Sequence, residues 1–258
     1  MSKEKGVVKR AVVTPDKHFP LHDQPSINVL KKTIEIVKPD IYIDLGDVGE
    51  WGHFSAWKYK RRKKPPLEFM IPELEQDVED VNAGMDQVDE SLDKVNCKEK
   101  YITEGNHDNW CNMFVQEYPY LPQYAFKKSV KLKERGYTYY PFGKKLKVGK
   151  LYFYHGHELG GQYHTANHLR KKACNIMYGH WHDLQQMSAT HMDGPKSAWS
   201  IGCLKDMTPK ANKWLNHREI NWAHAFAIVD FYAGGHFTVH IIQIIKGKTS
   251  LWGEIIKG

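Results

Sequence analysis

A chain of 258 residues, 41% hydrophobic and 26% charged, can bury roughly 70–75% of its unfolded surface in one large domain and needs no disulfide staples. Its four cysteines, Cys97, Cys111, Cys174 and Cys203, form no C-x-x-C pair and show no regular spacing, which suits reduced thiols in a cytoplasmic protein. No apolar run approaches the ~20 residues of a membrane helix, no secretory leader pattern follows the polar start, and the net charge of +7 favours a polyanionic or phosphate-bearing partner.

In chain order, Val7 to Thr14 reads as a buried strand that runs into Asp16 and His18. Ser26 resembles an N-cap for a helix through Val37, with Ile27, Leu30, Ile34 and Val37 at helical spacing and Pro39 as the stop. Ile41 to Leu45 is a second strand, ending at Gly46-Asp47. An insertion at about 51–97 follows. Pro72 suits a first helical turn, and Leu74, Val78, Val81, Met85, Val88, Leu92 and Val95 alternate spacings of four and three, a heptad seam. That seam fits either a helix packed on its own domain, which Asn82 and Gly84 favour, or an arm that forms a homodimer through 72–97.

Tyr101 to Thr103, Leu151 to Tyr154 and Asn175 to Tyr178 are further strands. They end at Gly105-Asn106-His107-Asp108, His155-Gly-His157 and Gly179-His180-Trp181-His182. A helix from Gln162 to Cys174 lies between the last two. The final third is β-rich, with strands at Leu184–Thr190, Ser197–Ile201, Ala223–Phe231 and Phe237–Ile245, the last two joined as a hairpin through Gly234-Gly235. Strand after strand ends in a block of ligand-type residues, and strand ends converge in an α/β fold.

Those blocks carry the chemistry. Asp16 and His18 are two apart on extended chain, so both can point the same way and hold one cation. Asp47 has two carboxylate oxygens and can bridge two cations. Asn106 offers a carbonyl oxygen, and His155, His180 and His182 offer imidazole nitrogens. Mixed nitrogen and oxygen ligation suits Mn²⁺ first, with iron, Zn²⁺ or Ni²⁺ as alternatives, over Mg²⁺ or Ca²⁺. Two such ions ~3.5–4 Å apart can share a hydroxide and clamp a phosphoryl group for in-line attack. His107, next to Asn106, is placed to face substrate and protonate a leaving oxygen. The Glu50 carboxylate is the expected partner that orients it.

The ordered series Asp16/His18, Gly46-Asp47-Val48-Gly49-Glu50, Gly105-Asn106-His107-Asp108, His155 and Gly179-His180-Trp181-His182 resembles the calcineurin-like metallophosphoesterase superfamily, in its phage and bacterial nuclease-like members. The resemblance runs from residue 16 to residue 182. It implies a four-layer α/β sandwich of two mixed β-sheets flanked by helices, here with an inserted long helix, as a single domain over 1–258. It implies one metal on Asp16, His18, Asp47 and His182, a second on Asp47, Asn106, His155 and His180, and His107 as the catalytic histidine. Pro15 and Glu50 depart from the family pattern, which more often has a small residue and Asp there. His157 is left as a residue behind the ligands or on the substrate side.

The activity this implies is a dinuclear phosphodiesterase, a nuclease acting on DNA, with a phosphomonoesterase or Ser/Thr protein phosphatase as the alternative. Lys60, Arg61 and Arg62, in a basic run from Lys58 to Lys64 beside Trp51, Phe54, Trp57 and Tyr59, can contact phosphates while the aromatics stack bases; the run equally fits a solvated loop and the rings a core. His53 and Asp108 are further candidates for substrate contact. His164 and His168, four apart, have zinc-ligand spacing without supporting company. His191, His217, His224, His236 and His240 read as structural. Gly202, in Ser200-Ile-Gly202-Cys-Leu204, marks either a turn near the site or a simple β-turn.

Overall fold

The computed structural model describes residues 6–61, 63–216 and 218–258. In chain order it contains β1 (Val7–Thr14), α1 (Gln24–Val37), β2 (Ile41–Asp44), α2 (Leu67–Lys94), β3 (Glu99–Thr103), α3 (Asn106–Glu117), α4 (Phe126–Ser129), β4 (Tyr137–Tyr140), β5 (Leu146–Val148), β6 (Leu151–Tyr154), α5 (His164–Lys172), β7 (Ile176–Tyr178), β8 (Leu184–His191), β9 (Gly194–Ile201), β10 (Ala225–Tyr232), β11 (Phe237–Gln243), β12 (Lys248–Leu251) and β13 (Glu254–Lys257). A six-stranded sheet has the order β11-β10-β1-β2-β3-β4, and a five-stranded sheet the order β5-β6-β7-β9-β8. Both are mixed. The β1–β4 strands run parallel and β10 and β11 antiparallel; in the second sheet β6, β7 and β9 run parallel between antiparallel edges.

Alternation along the strands builds the layers. Ala11 and Val13 of β1 and Ile41 and Ile43 of β2 pack with Phe153, Met177 and Ile201 in the core between the sheets. The intervening Val12 and Tyr42 face the other way, into the core shared with Leu30 of α1, Leu74 of α2 and Phe114 of α3. On the far side, Tyr154, Ile176, Tyr178 and Ala198 pack against Leu169 of α5. Helices, sheet, sheet and helix make the four-layer sandwich that the resemblance implies.

Several local expectations shift. The N-cap of α1 is Asp23, whose carboxylate accepts from the Ser26 N–H at 2.9 Å, so Ser26 is a buried residue of the first turn. Helix α2 starts at Leu67, after Pro66, and Pro72 lies inside it. A proline there lacks the N–H that would bond the Glu68 carbonyl, a loss confined to the second turn. The seam residues Leu74, Val81, Met85, Val88 and Leu92 are buried in the chain's own core. Gly84 lets this happen, since a Cβ there would lie 2.1 Å from the Phe19 ring. A dimer through this helix would therefore have to use its outer face. All four cysteines are free. Among the described residues no helix is long and apolar enough to cross a membrane.

Candidate metal centre

The ligand blocks converge on one end of the sandwich. In the first, Asp16 and His18 face the centre, while Lys17 between them turns away and donates to Asp44 at 2.5 Å; the block lies past the end of β1, so this is not strand alternation. His18, Asp47, His180 and His182 all have left-handed backbones, with φ between 48° and 69°. Such conformations are costly for non-glycine residues and persist where the surrounding fold imposes them. The motif glycines let neighbouring loops close in. A Cβ on Gly105 would lie 2.1 Å from Asp47 Oδ1, and one on Gly179 would lie 2.0 Å from Asp16 Oδ2.

Three sets of ligand-type atoms result among the described residues; one joins His18, Glu50 and His107, and the other two consist of expected ligands. Of those two, Asp16, His18 and His182 form one, and Asp47, His155 and His180 the other, with the atoms of each set within 4.8 Å of one another. His182 Nε2 lies 3.2 Å from His18 Nε2 and 3.4 Å from Asp16 Oδ1. His155 Nε2 lies 2.9 Å from Asn106 Oδ1, 3.1 Å from His180 Nδ1 and 3.3 Å from Asp47 Oδ2. Asp47 divides its oxygens. Oδ1 accepts the His107 N–H at 2.8 Å, at the start of α3, where a helix N-terminus favours an anion. Oδ2 faces both sets, 3.8 Å from His18 Nε2 and 3.3 Å from His155 Nε2.

The residues fit two cations on hydrogen-bonding grounds. His18 Nδ1 sits 2.8 Å from a Glu50 carboxylate oxygen, and His155 Nδ1 sits 2.9 Å from the Leu45 carbonyl. Each Nδ1 must therefore carry the proton, which leaves an Nε2 lone pair aimed at other acceptors. Acceptors facing acceptors in a buried site call for a positive charge between them. The electrostatics agree. Burial would raise Asp16 and Asp47, but the neighbouring histidines hold both carboxyls below the ordinary value. Burial would lower His155, but the Asp47 carboxylate draws it up to about 9, a second proton taking the place a cation would fill. His18 and His180 are pushed down to about 3, chiefly by burial, so both are neutral, the form a metal ligand needs.

The other candidates are placed differently. His107 lines the cleft, but its Nδ1 bonds the Glu50 backbone carbonyl at 2.9 Å, not the carboxylate. The Glu50 carboxylate is taken by His18 Nδ1 and by Lys205 Nζ at 2.6 Å; it supports a ligand instead of orienting the catalytic candidate. Asp108 is fully buried and accepts from Val48 N, Gly105 N and Trp51 Nε1 at 3.2, 3.1 and 2.9 Å. It clamps two ligand loops together and has no access to substrate. His53 is bound to Asp77 of α2 at 2.7 Å and lies outside the cleft lining. His157 stacks on Phe142 at 3.9 Å, behind His155.

Lys60 lies 4.1 Å above the Trp57 ring, Arg61 is exposed, and Arg62 and His217 lie outside the described residues. His164 and His168 bond Asp183, Tyr178 and Tyr154, which accounts for them without a metal. Sequence reasoning misses Lys205. Gly202, at φ 79°, has no room for a Cβ, which would lie 2.4 Å from the Ala223 carbonyl. That turn, with Leu204 N bonded to the Asp16 carbonyl at 2.9 Å, brings Lys205 to the site.

A two-sheet sandwich with two ligand sets at its strand ends and one carboxylate facing both is an arrangement suited to metal-assisted hydrolysis. The sequence profile of the calcineurin-like phosphoesterases matches residues 10–239, and the chain belongs to that family. It is accordingly a metal-dependent phosphoesterase that uses divalent ions. Among solved structures, Vps29 of Chaetomium thermophilum is 14% identical, with 96% of each chain covered and a TM-score of 0.49. TT1561 of Thermus thermophilus is 9% identical over 90% of this chain and 98% of that one, with a TM-score of 0.35. No curated protein sequence matches the chain.

Proposed function

We propose that this phosphoesterase is a phosphodiesterase that hydrolyses nucleic acid, DNA in the first instance, with Mn²⁺ as the working metal. The observation that carries this reading is the cationic poverty of the cleft. Its described lining holds no arginine and a single lysine, Lys205, which is already paired with Glu50. A terminal phosphate is a dianion and needs cations beyond the metals, whereas a diester carries one charge and needs an open groove.

In this reading one ion is held by Asp16, His18, Asp47 and His182, and the other by Asp47, Asn106, His155 and His180. When bound, the ions supply Lewis acidity toward phosphoryl oxygens and make water ionisable near neutral pH. The chain's own residues do the rest. The Glu50 carbonyl fixes the His107 ring by accepting from Nδ1, so Nε2 is the atom that passes a proton to the departing oxygen. Glu50 and Lys205 hold the His18 ring in its ligating orientation.

The test compares bis-p-nitrophenyl phosphate with p-nitrophenyl phosphate in Mn²⁺. Preference for the diester is expected. A strong preference for the monoester would replace this reading with a phosphomonoesterase or protein phosphatase.

A further inference from the structure

The cleft above the ligands encloses about 630 Å³ and is lined by Trp57, Trp110, Trp181, Trp214 and Trp222, five of the chain's eight tryptophans. They come from separate places: a 3₁₀ turn at Ala56–Tyr59, α3, the loop after β7, a 3₁₀ turn at Lys213–Leu215, and the approach to β10. Trp110 packs 4.0 Å from the His107 ring, and Trp222 packs 4.5 Å from His182. Trp214 stands 6.2 Å from Trp222. Indole surface thus runs outward from the reaction centre. Trp57 and Trp214 are 67% and 60% exposed, so packing within the chain does not account for them. Each has a cation over its ring: Lys60 over Trp57 at 4.1 Å and Arg218 over Trp214 at 5.9 Å.

We propose that this tryptophan rim binds unstacked nucleobases of a single strand on either side of the phosphate being cleaved; the proposal rests on the nucleic-acid reading of the site. The floor offers ligands for cations that would meet a diester's single charge, and the indoles are left to recognise the groups attached to the phosphorus. A duplex hides its base faces, whereas a single strand offers one π-face per nucleotide whatever its sequence. Lys60 and Arg218, each over a rim indole, would add a salt-dependent contribution by pairing with phosphates of such a strand.

The test uses the full chain carrying His107→Gln, which removes the proton donor and leaves both ligand sets in place, so that strands are bound well before they are cut. Affinities are measured by anisotropy for a short oligothymidylate, for a strand of equal length made of abasic spacers, and for a blunt duplex. The base-bearing strand should bind about tenfold more tightly than the abasic one and should quench tryptophan fluorescence. Trp57→Ala with Trp214→Ala, both at exposed positions, should remove most of that advantage while leaving abasic binding alone. Equal affinity for the two single strands, or tighter binding of the duplex, overturns the proposal. Hydrolysis of bis-p-nitrophenyl phosphate by the wild-type chain separates the two failures. If that ester is not cut, the diesterase reading falls and the rim proposal falls with it; if it is cut and the strands bind alike, only the rim proposal fails.

Discussion

The floor of the cleft and its rim are built in opposite ways. The floor consists of short motifs at strand ends, where four of seven ligand candidates hold left-handed backbones, Asp108 clamps the loops, and Glu50 and the Leu45 carbonyl fix the His18 and His155 rings. The rim consists of tryptophans on turns, loops and one helix, two of them largely exposed. A locked floor suits chemistry that fails when a ligand shifts. An exposed aromatic rim suits recognition that tolerates many sequences. Perturbing the floor should therefore change rate, metal content and stability, whereas perturbing the rim should change affinity.

The largest effect is expected at Asp47. Asp47→Asn removes the charge of the oxygen that faces both ligand sets. Hydrolysis of bis-p-nitrophenyl phosphate should fall by about a thousandfold or more, as the loss of metal assistance implies, and metal analysis should find fewer than two ions per chain. Undiminished activity would refute the assignment of the floor. Asp108→Ala should act on stability instead. It orphans the N–H groups of Val48, Gly105 and Trp51, at a cost of about 3 kcal/mol or more. Thermal melts should drop by about 10 °C; a raised KM with an unchanged melt would restore the substrate role expected from sequence. Chelation comes next. Ions that bind only the folded floor stabilise it by about 2.7 kcal/mol at a hundredfold excess over Kd, so a chelator should lower the melt by roughly 5–10 °C.

The same contrast explains what can be read from the chain. The floor is legible because its geometry is written at short range: Asp16 and His18 two apart, Asn106 beside His107, His180 and His182 two apart. The strands that carry them are legible from their apolar runs. Directions are not. Nothing in the sequence tells whether the Glu50 carboxylate or its carbonyl meets His107, because that depends on the turn around Trp51, at φ 51°. Asp108 reads as a free acid until the packing buries it. The rim is illegible for a different reason. Trp51 is 1% exposed and Trp57 is 67% exposed, yet both lie in the same polar, aromatic stretch, and only tertiary structure brings Trp57 and Trp214 to one cleft. The start of α2 is misread because Pro72 is also tolerated inside the second turn.

The smallest effect separates histidines that serve the floor from those that only brace it. His168 is fully buried on α5; its Nδ1 donates to the His164 carbonyl at 2.7 Å, its Nε2 meets the Tyr154 hydroxyl, and its ring stacks on Tyr178 at 3.9 Å. Burial pushes it down to about 4 from 6.5. A histidine depressed in the folded state contributes stability that is present above the unfolded value near 6.5 and is lost as pH falls toward 4. At pH 5 the loss from this residue is about 2 kcal/mol. His168→Gln keeps a donor and an acceptor without a titrating group. In chelated protein, where metal release cannot contribute, its melt should fall less than that of the wild type between pH 7.5 and pH 5, by about 4–8 °C. His155 has the opposite sign: raised to about 9, it contributes stability that is fully present below pH 6.5 and is lost as pH rises through 9. An unchanged acid slope in His168→Gln would move the acid sensitivity to the other histidines that burial depresses, His18 and His180 in the floor and His157 behind it.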